Sequence, residues 1–119
     1  MANELTVSAS ASFSKGGAQD AQRTISKQVD VAGDAFSIKV LSIGTSDETV
    51  SFDDVATPGF IIMKNLDSTN YVEYSHASGA YLGQMKAGEP ALLRLTGGAT
   101  LHMSANTAAC LVEIRCYSN

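Results

Sequence analysis

Tryptophan is absent from the 119 residues, and cysteine, proline and histidine occur only twice each. Two cysteines cannot build the dense disulfide framework of a small secreted scaffold. A structural zinc needs four donors at close spacing, and Cys110, Cys116, His76 and His102 do not fall into such pairs. The two cysteines sit six positions apart in one strand-like segment. An extended chain separates them by ~20 Å, while a disulfide needs Cα atoms within ~7 Å. Both are expected to be small buried thiols in a protein folded in a reducing compartment.

Charge is scarce as well. Charged residues make up 17% of the chain, against ~25% in an ordinary domain. The eight lysines and arginines nowhere form a run, and the net charge is −4. Nucleic-acid binders carry a basic stripe that neutralises phosphates, so direct DNA or RNA binding is not expected. No apolar run approaches the ~20 residues of a helical membrane span. The opening MANELTVSASASF lacks a basic region followed by a continuous apolar stretch, so no secretory signal is expected. Helix signals are missing too: no window joins apolar residues at i, i+3, i+4 and i+7 to a cap and a glycine stop.

What remains is alternation with period two, broken by turn chemistry. In residues 4–13, Leu5, Val7, Ala9, Ala11 and Phe13 share one face, and Thr6, Ser8, Ser10 and Ser12 the other. Lys15-Gly16-Gly17-Ala18 reads as a turn or hinge. Strands are predicted over 23–31, 35–43, 48–52, 59–65, 71–75, 80–85, 91–95, 99–103 and 108–117. Within 35–43 the apolar parity switches from Phe36, Ile38 and Val40 to Leu41 and Ile43, which predicts a bulge near 40–41. Residues 59–65 carry a continuous apolar run, the mark of a central strand. Gly88 is expected to take a positive φ in a hairpin, and Pro90 to enter its strand at the first position. Eight to ten short strands at this spacing predict an all-β, single-domain sandwich, with a jelly roll of two packed sheets as the expected version. Residues 1–17 are read as an N-terminal strand, or extended arm, with its hinge, and 18–119 as the sandwich domain.

Residues 43–117 resemble small phage structural proteins. The specific pieces are Lys64-Asn65-Leu66-Asp67-Ser68-Thr69-Asn70-Tyr71-Val72 and Lys86-Ala87-Gly88-Glu89-Pro90-Ala91-Leu92-Leu93-Arg94-Leu95, with a later Ala105…Ala108-Ala109 before an apolar tail. The resemblance covers about the last two-thirds of the chain, and the first forty residues match less well. It implies a jelly-roll-like virion subunit that coats, cements or extends a capsid, or joins a tail.

No constellation points to catalysis. Asp67, Ser75 and His76 lie close in sequence, but no Gly-x-Ser-x-Gly elbow surrounds a serine, and a triad is defined by geometry. Asp47-Glu48 and Asp53-Asp54 are the densest carboxylates, yet they form no calcium loop pattern and read as solvated turns. No catalytic, cofactor or metal-binding residue is therefore expected. Tyrosines combine apolar area with a polar tip and suit protein interfaces. Leu5, Val7, Phe13, Tyr71, Tyr74, His76 and Tyr81 are the candidate contact residues. The expected function is that of a capsid cement or decoration protein on the virion exterior. Its expected partners are the major capsid protein and its own copies, as a homo-oligomer such as a trimer, without nucleic acid or membrane. A tail, connector or fibre-associated component is the alternative, and a glycan-binding module built on Tyr71, Tyr74, His76 and Tyr81 a further one.

Overall fold

The computed structural model describes residues 4–96 and 98–119 and, for residues 18–23, the backbone alone. The described chain is all-β. Its ten strands are β1 (Leu5–Lys15), β2 (Ala18–Val29), β3 (Phe36–Ile43), β4 (Glu48–Thr49), β5 (Pro58–Asn65), β6 (Val72–Ser75), β7 (Gly83–Met85), β8 (Pro90–Arg94), β9 (His102–Ala105) and β10 (Cys110–Ser118). They fall into two compact units, Met1–Ala32 and Gly33–Asn119.

The first unit is one long antiparallel hairpin. β1 and β2 pair from Leu5↔Val29 to Lys15↔Ala18, with an irregularity between Ala11 and Phe13. Gly16 and Gly17 have φ of +57° and +86°. Positive φ at both central residues is what a tight two-residue hairpin turn with the twist of its strands demands. The Gly-Gly pair is thus the hairpin's turn and not a hinge between arm and sandwich. The division of the chain falls after Ala32, not after Gly17, because residues 18–29 pair with β1. The sequence missed the start of β2 because Gln19, Asp20 and Gln22 are polar at both parities and give no alternation. Residues 1–3 of the predicted arm, and Gly97 of the Thr96-Gly97-Gly98 turn, lie outside the described residues.

The second unit is the sandwich. One sheet has the order β3-β10-β5-β8 and the other β4-β9-β6-β7, and every neighbouring pair is antiparallel. Eight strands threaded in this order through two sheets form a jelly roll. Among the described strands of the sandwich, only β6 and β7 are neighbours both in sequence and in a sheet. The core lies between the sheets. From β10 it takes Cys110, Val112, Ile114 and Cys116, from β5 Ile61 and Met63, and from the facing sheet Val72, Met85, Met103 and Ala105. Each set recurs at every second residue, as strands with one inward face require. Both cysteines are buried and free.

Asn65 closes one end of the core. Fully buried, its Nδ2 donates to the carbonyls of Asn70 (2.9 Å), Met85 (3.0 Å) and Lys86 (3.3 Å), and its Oδ1 accepts from the Asp67 N–H (3.0 Å). Asp67 accepts in turn from the N–H groups of Thr69 and Asn70. These side-chain-capped turns explain why the Asn-Leu-Asp-x-x-Asn sequence both ends β5 and starts β6.

Candidate functional site

The strand β3 reads FSIKVLSI, apolar at both parities. Its pairing with β10 runs unbroken from Tyr117↔Phe36 to Cys110↔Ile43. The predicted bulge near 40–41 is therefore absent. The parity switch has another cause: both faces of this strand are apolar. Leu41 and Ile43 turn to the core, while Phe36, Ile38 and Val40 turn outward and stay 65%, 50% and 51% exposed.

The neighbouring strands extend that outer surface. Across it, Ile38 stands opposite Arg115, Arg115 opposite Ile62, and Ile62 opposite Leu92. Phe36 stacks on Tyr117 at 6.5 Å between ring centroids. Phe60 lies under the Arg94 guanidinium at 4.8 Å. Leu111 is exposed beside Ser42. The charged residues on the face are Lys64, Arg94, Arg115 and Glu113, with Arg115 Nε donating to Glu113 at 3.2 Å. Three cations against one carboxylate make the face basic in a chain whose net charge is −4.

The sheet edges are guarded while the face is not. On edge strand β3, Lys39 points to the inner side and is held by Asp53 at 3.2 Å, and Ser37 Oγ donates to the same carboxylate at 2.9 Å. An inward charge on an edge strand discourages a further strand from pairing there. The opposite edge, β8, is five residues long and starts at Pro90, another device that blunts an edge.

A polar cluster lies on the other sheet. Asp47, in the turn between β3 and β4, accepts the Tyr81 hydroxyl through Oδ1 and faces His102 Nδ1 through Oδ2 at 2.7 Å. The Tyr81 hydrogen bond, then His102, holds the Asp47 carboxyl below the usual carboxylate range. The same contact pushes the Tyr81 hydroxyl up. A carboxylate on Nδ1 orients an imidazole in the manner of a hydrolase. Here Ser75, the cross-strand partner of His102, gives its hydroxyl proton to the Ala77 carbonyl and accepts the Ala77 N–H. With that hydroxyl spent on the backbone, Asp47 acts as a clasp that fastens the segment carrying Tyr81.

The residues singled out in the sequence are spread over both units. On the hairpin, Leu5 is half-buried, Val7 buried, and Phe13, three residues before Gly16, 54% exposed. Tyr74 packs on the core, Tyr71 is half-buried outside it, and His76 is exposed. Tyr81 belongs to the Asp47 clasp. Asp67 caps a turn and Ser75 Oγ is bonded to Ala77, so neither is joined to the exposed His76 ring. The outer residues Phe36, Ile38 and Val40 were read from sequence only as one side of a parity switch; their signal was the run of apolar residues at both parities. Among the described residues no group of three or more His, Cys, Asp or Glu is placed to hold a metal. Comparison with family models, with curated proteins and with solved structures returns no match for this chain.

Proposed function

We propose that the chain is a structural subunit that works by binding protein surfaces, and that its setting is a phage virion, where it cements or decorates the capsid shell. One observation carries the first half: a four-stranded face bearing Phe36, Ile38, Val40, Leu92 and Leu111 stays exposed while both edges of its sheet are blunted. Interface cores are apolar with aromatics and arginine, as this face is. The long hairpin supports the same reading, since a two-stranded ribbon is marginal alone and gains stability from a surface to rest on. The virion setting rests on the sequence resemblance of residues 43–117. Weak contacts repeated over a symmetric shell act through effective concentration, so each need not be strong.

The test is the copy number of this chain relative to the major capsid protein in purified particles, by quantitative mass spectrometry. A ratio near one, or a simple fraction of it, is expected. A few copies per particle would move the chain to the tail or connector, and absence from particles would overturn the virion setting.

A further inference from the structure

The outer face of the β3-β10-β5-β8 sheet is built in rows. Ile38, Arg115, Ile62 and Leu92 stand abreast across the four strands. The next row holds Val40, Glu113, Lys64 and Pro90, and on the other side of Ile62 and Leu92 Phe60 faces Arg94. Ile62 and Leu92 thus form an apolar centre with Arg115, Lys64 and Arg94 around it. The cations differ in what occupies them. Arg115 Nε donates to Glu113 at 3.2 Å. The Arg94 guanidinium lies over the Phe60 ring and donates to the uncharged side-chain oxygen of Asn119. Among the described residues neither Arg94 nor Lys64 is in an ion pair. A guanidinium carries five N–H donors, so Arg94 keeps donors in hand.

We propose that this face receives a protein segment that is itself apolar and carries a surplus of carboxylates. An apolar side chain of the partner seats on Ile62 and Leu92, and its carboxylates meet Arg94, Lys64 and Arg115. Charge complementarity selects this occupant. A second copy would bring the same three cations to the contact, and like charges would oppose it. A nucleic acid offers phosphates but little apolar surface to cover Ile38, Val40 and Leu92. Its bases would find the rings taken, since Phe36 is stacked on Tyr117 and Phe60 lies under Arg94. A long polyanion also meets a chain whose net charge is −4, whereas a segment docked on the face senses chiefly the charges within a screening length of ~10 Å. Glu113, held by Arg115, is the face's own stand-in for a partner carboxylate. The inference rests on the reading of this face as the binding surface and not on the virion setting.

The probe is a short peptide repeating leucine-leucine-glutamate-glutamate, which when extended shows leucine and glutamate alternately on each face. Its control carries glutamine in place of every glutamate. The full chain is titrated with each and followed by NMR. Saturable shifts are expected at Ile38, Ile62 and Leu92, with the acidic peptide about tenfold tighter than the control, the scale of a few exposed charge pairs. That advantage should shrink as salt is raised. K64Q/R94Q/R115Q should erase it and leave the control's affinity unchanged. E113Q, which frees Arg115, should tighten the acidic peptide about two- to fivefold. F36S/I38S/V40S should weaken both peptides alike. Equal binding of the two peptides at these residues would keep the face as a protein-binding surface and overturn the acidic partner. No shift at the face with either peptide would overturn both. Tighter binding there of a short DNA duplex or of phosphatidylserine vesicles, or shifts of the same residues on dilution without peptide, would replace the acidic segment by a nucleic acid, a membrane or a second copy.

Discussion

Gly83 lies directly opposite Tyr74 in the β6–β7 pair, and the tyrosine ring covers it so closely that a methyl group at position 83 would overlap the ring. An aromatic side chain laid over a glycine in an edge strand restores the packing that the missing side chain forfeits. G83A should therefore destabilise by about 1–3 kcal/mol through overpacking. Y74A alone should also destabilise. In the double variant the clash disappears, so a urea double-mutant cycle should return a coupling of at least ~1 kcal/mol; additive losses would mean that the ring moves aside freely.

The strands were legible because their signals are local. Residues 59–65 were read as central, and β5 (Pro58–Asn65) is paired on both sides. Cys110, Val112, Ile114 and Cys116 were read as one face and form it in the core. Gly88 has φ of +78°, though its turn joins strands of different sheets and not the expected hairpin, and Pro90 opens β8. What alternation cannot carry is strand order. Nothing in residues 36–43 or 110–118 says that β10 lies between β3 and β5, or that the second apolar parity of β3 faces out and not through a bulge. The Asp47–Tyr81–His102 clasp spans sequence separations of 34 and 55 residues and exists only once the sandwich closes.

Asn65 offers the sharpest stability test. N65A takes the side-chain partner from the Asn70 and Met85 carbonyls and the Asp67 N–H, while the Lys86 carbonyl keeps its bond from the Glu89 N–H, at ~1–3 kcal/mol for each group left unsatisfied. A total loss of ~3 kcal/mol or more is expected from urea midpoints. N65D should be worse at neutral pH, because it turns a carboxylate toward carbonyl oxygens. Burial there raises its pKa, so N65D, unlike N65A, should regain stability as the pH falls and the carboxyl becomes a donor.

Asp67 acts in the opposite direction. The N–H groups of Asn70 and Thr69 hold its carboxyl below the usual carboxylate range. A depressed folded pKa contributes stability that is complete above the unfolded pKa and lost as the pH falls through the folded one. Asp47, through Tyr81 and His102, and Asp53, through Ser37 and Lys39, shift the same way. The urea midpoint should therefore fall with acidification below about pH 4. D67N should flatten part of that fall, since its amide does not titrate; an unchanged acid slope would exclude Asp67 from it.

The two thiols should be silent in the folded chain. Burial pushes Cys110 up and Cys116 up to about 11, and the thiolate is the reactive form. Iodoacetamide at about pH 8 should label neither cysteine in native protein and both in urea. Rapid labelling of the native chain at Cys116 would show that β10 opens far more readily than a strand paired on both sides should.

The outer face separates folding from assembly most directly. Phe36, Ile38 and Val40 are each at least half exposed, and surface substitutions of this kind change stability by ~0.5 kcal/mol or less each. The triple variant F36S/I38S/V40S should therefore keep its urea midpoint nearly unchanged. The equivalent change inward, I61S, should unfold the domain, because Ile61 is wholly buried between the sheets. If the face is the binding surface, the triple variant should lose at least about tenfold in affinity for shells stripped of this chain, since truncating interface anchors typically costs 1–2 kcal/mol or more. Full retention of binding would move the contact surface elsewhere, and a collapsed urea midpoint would mean that these three side chains serve the fold.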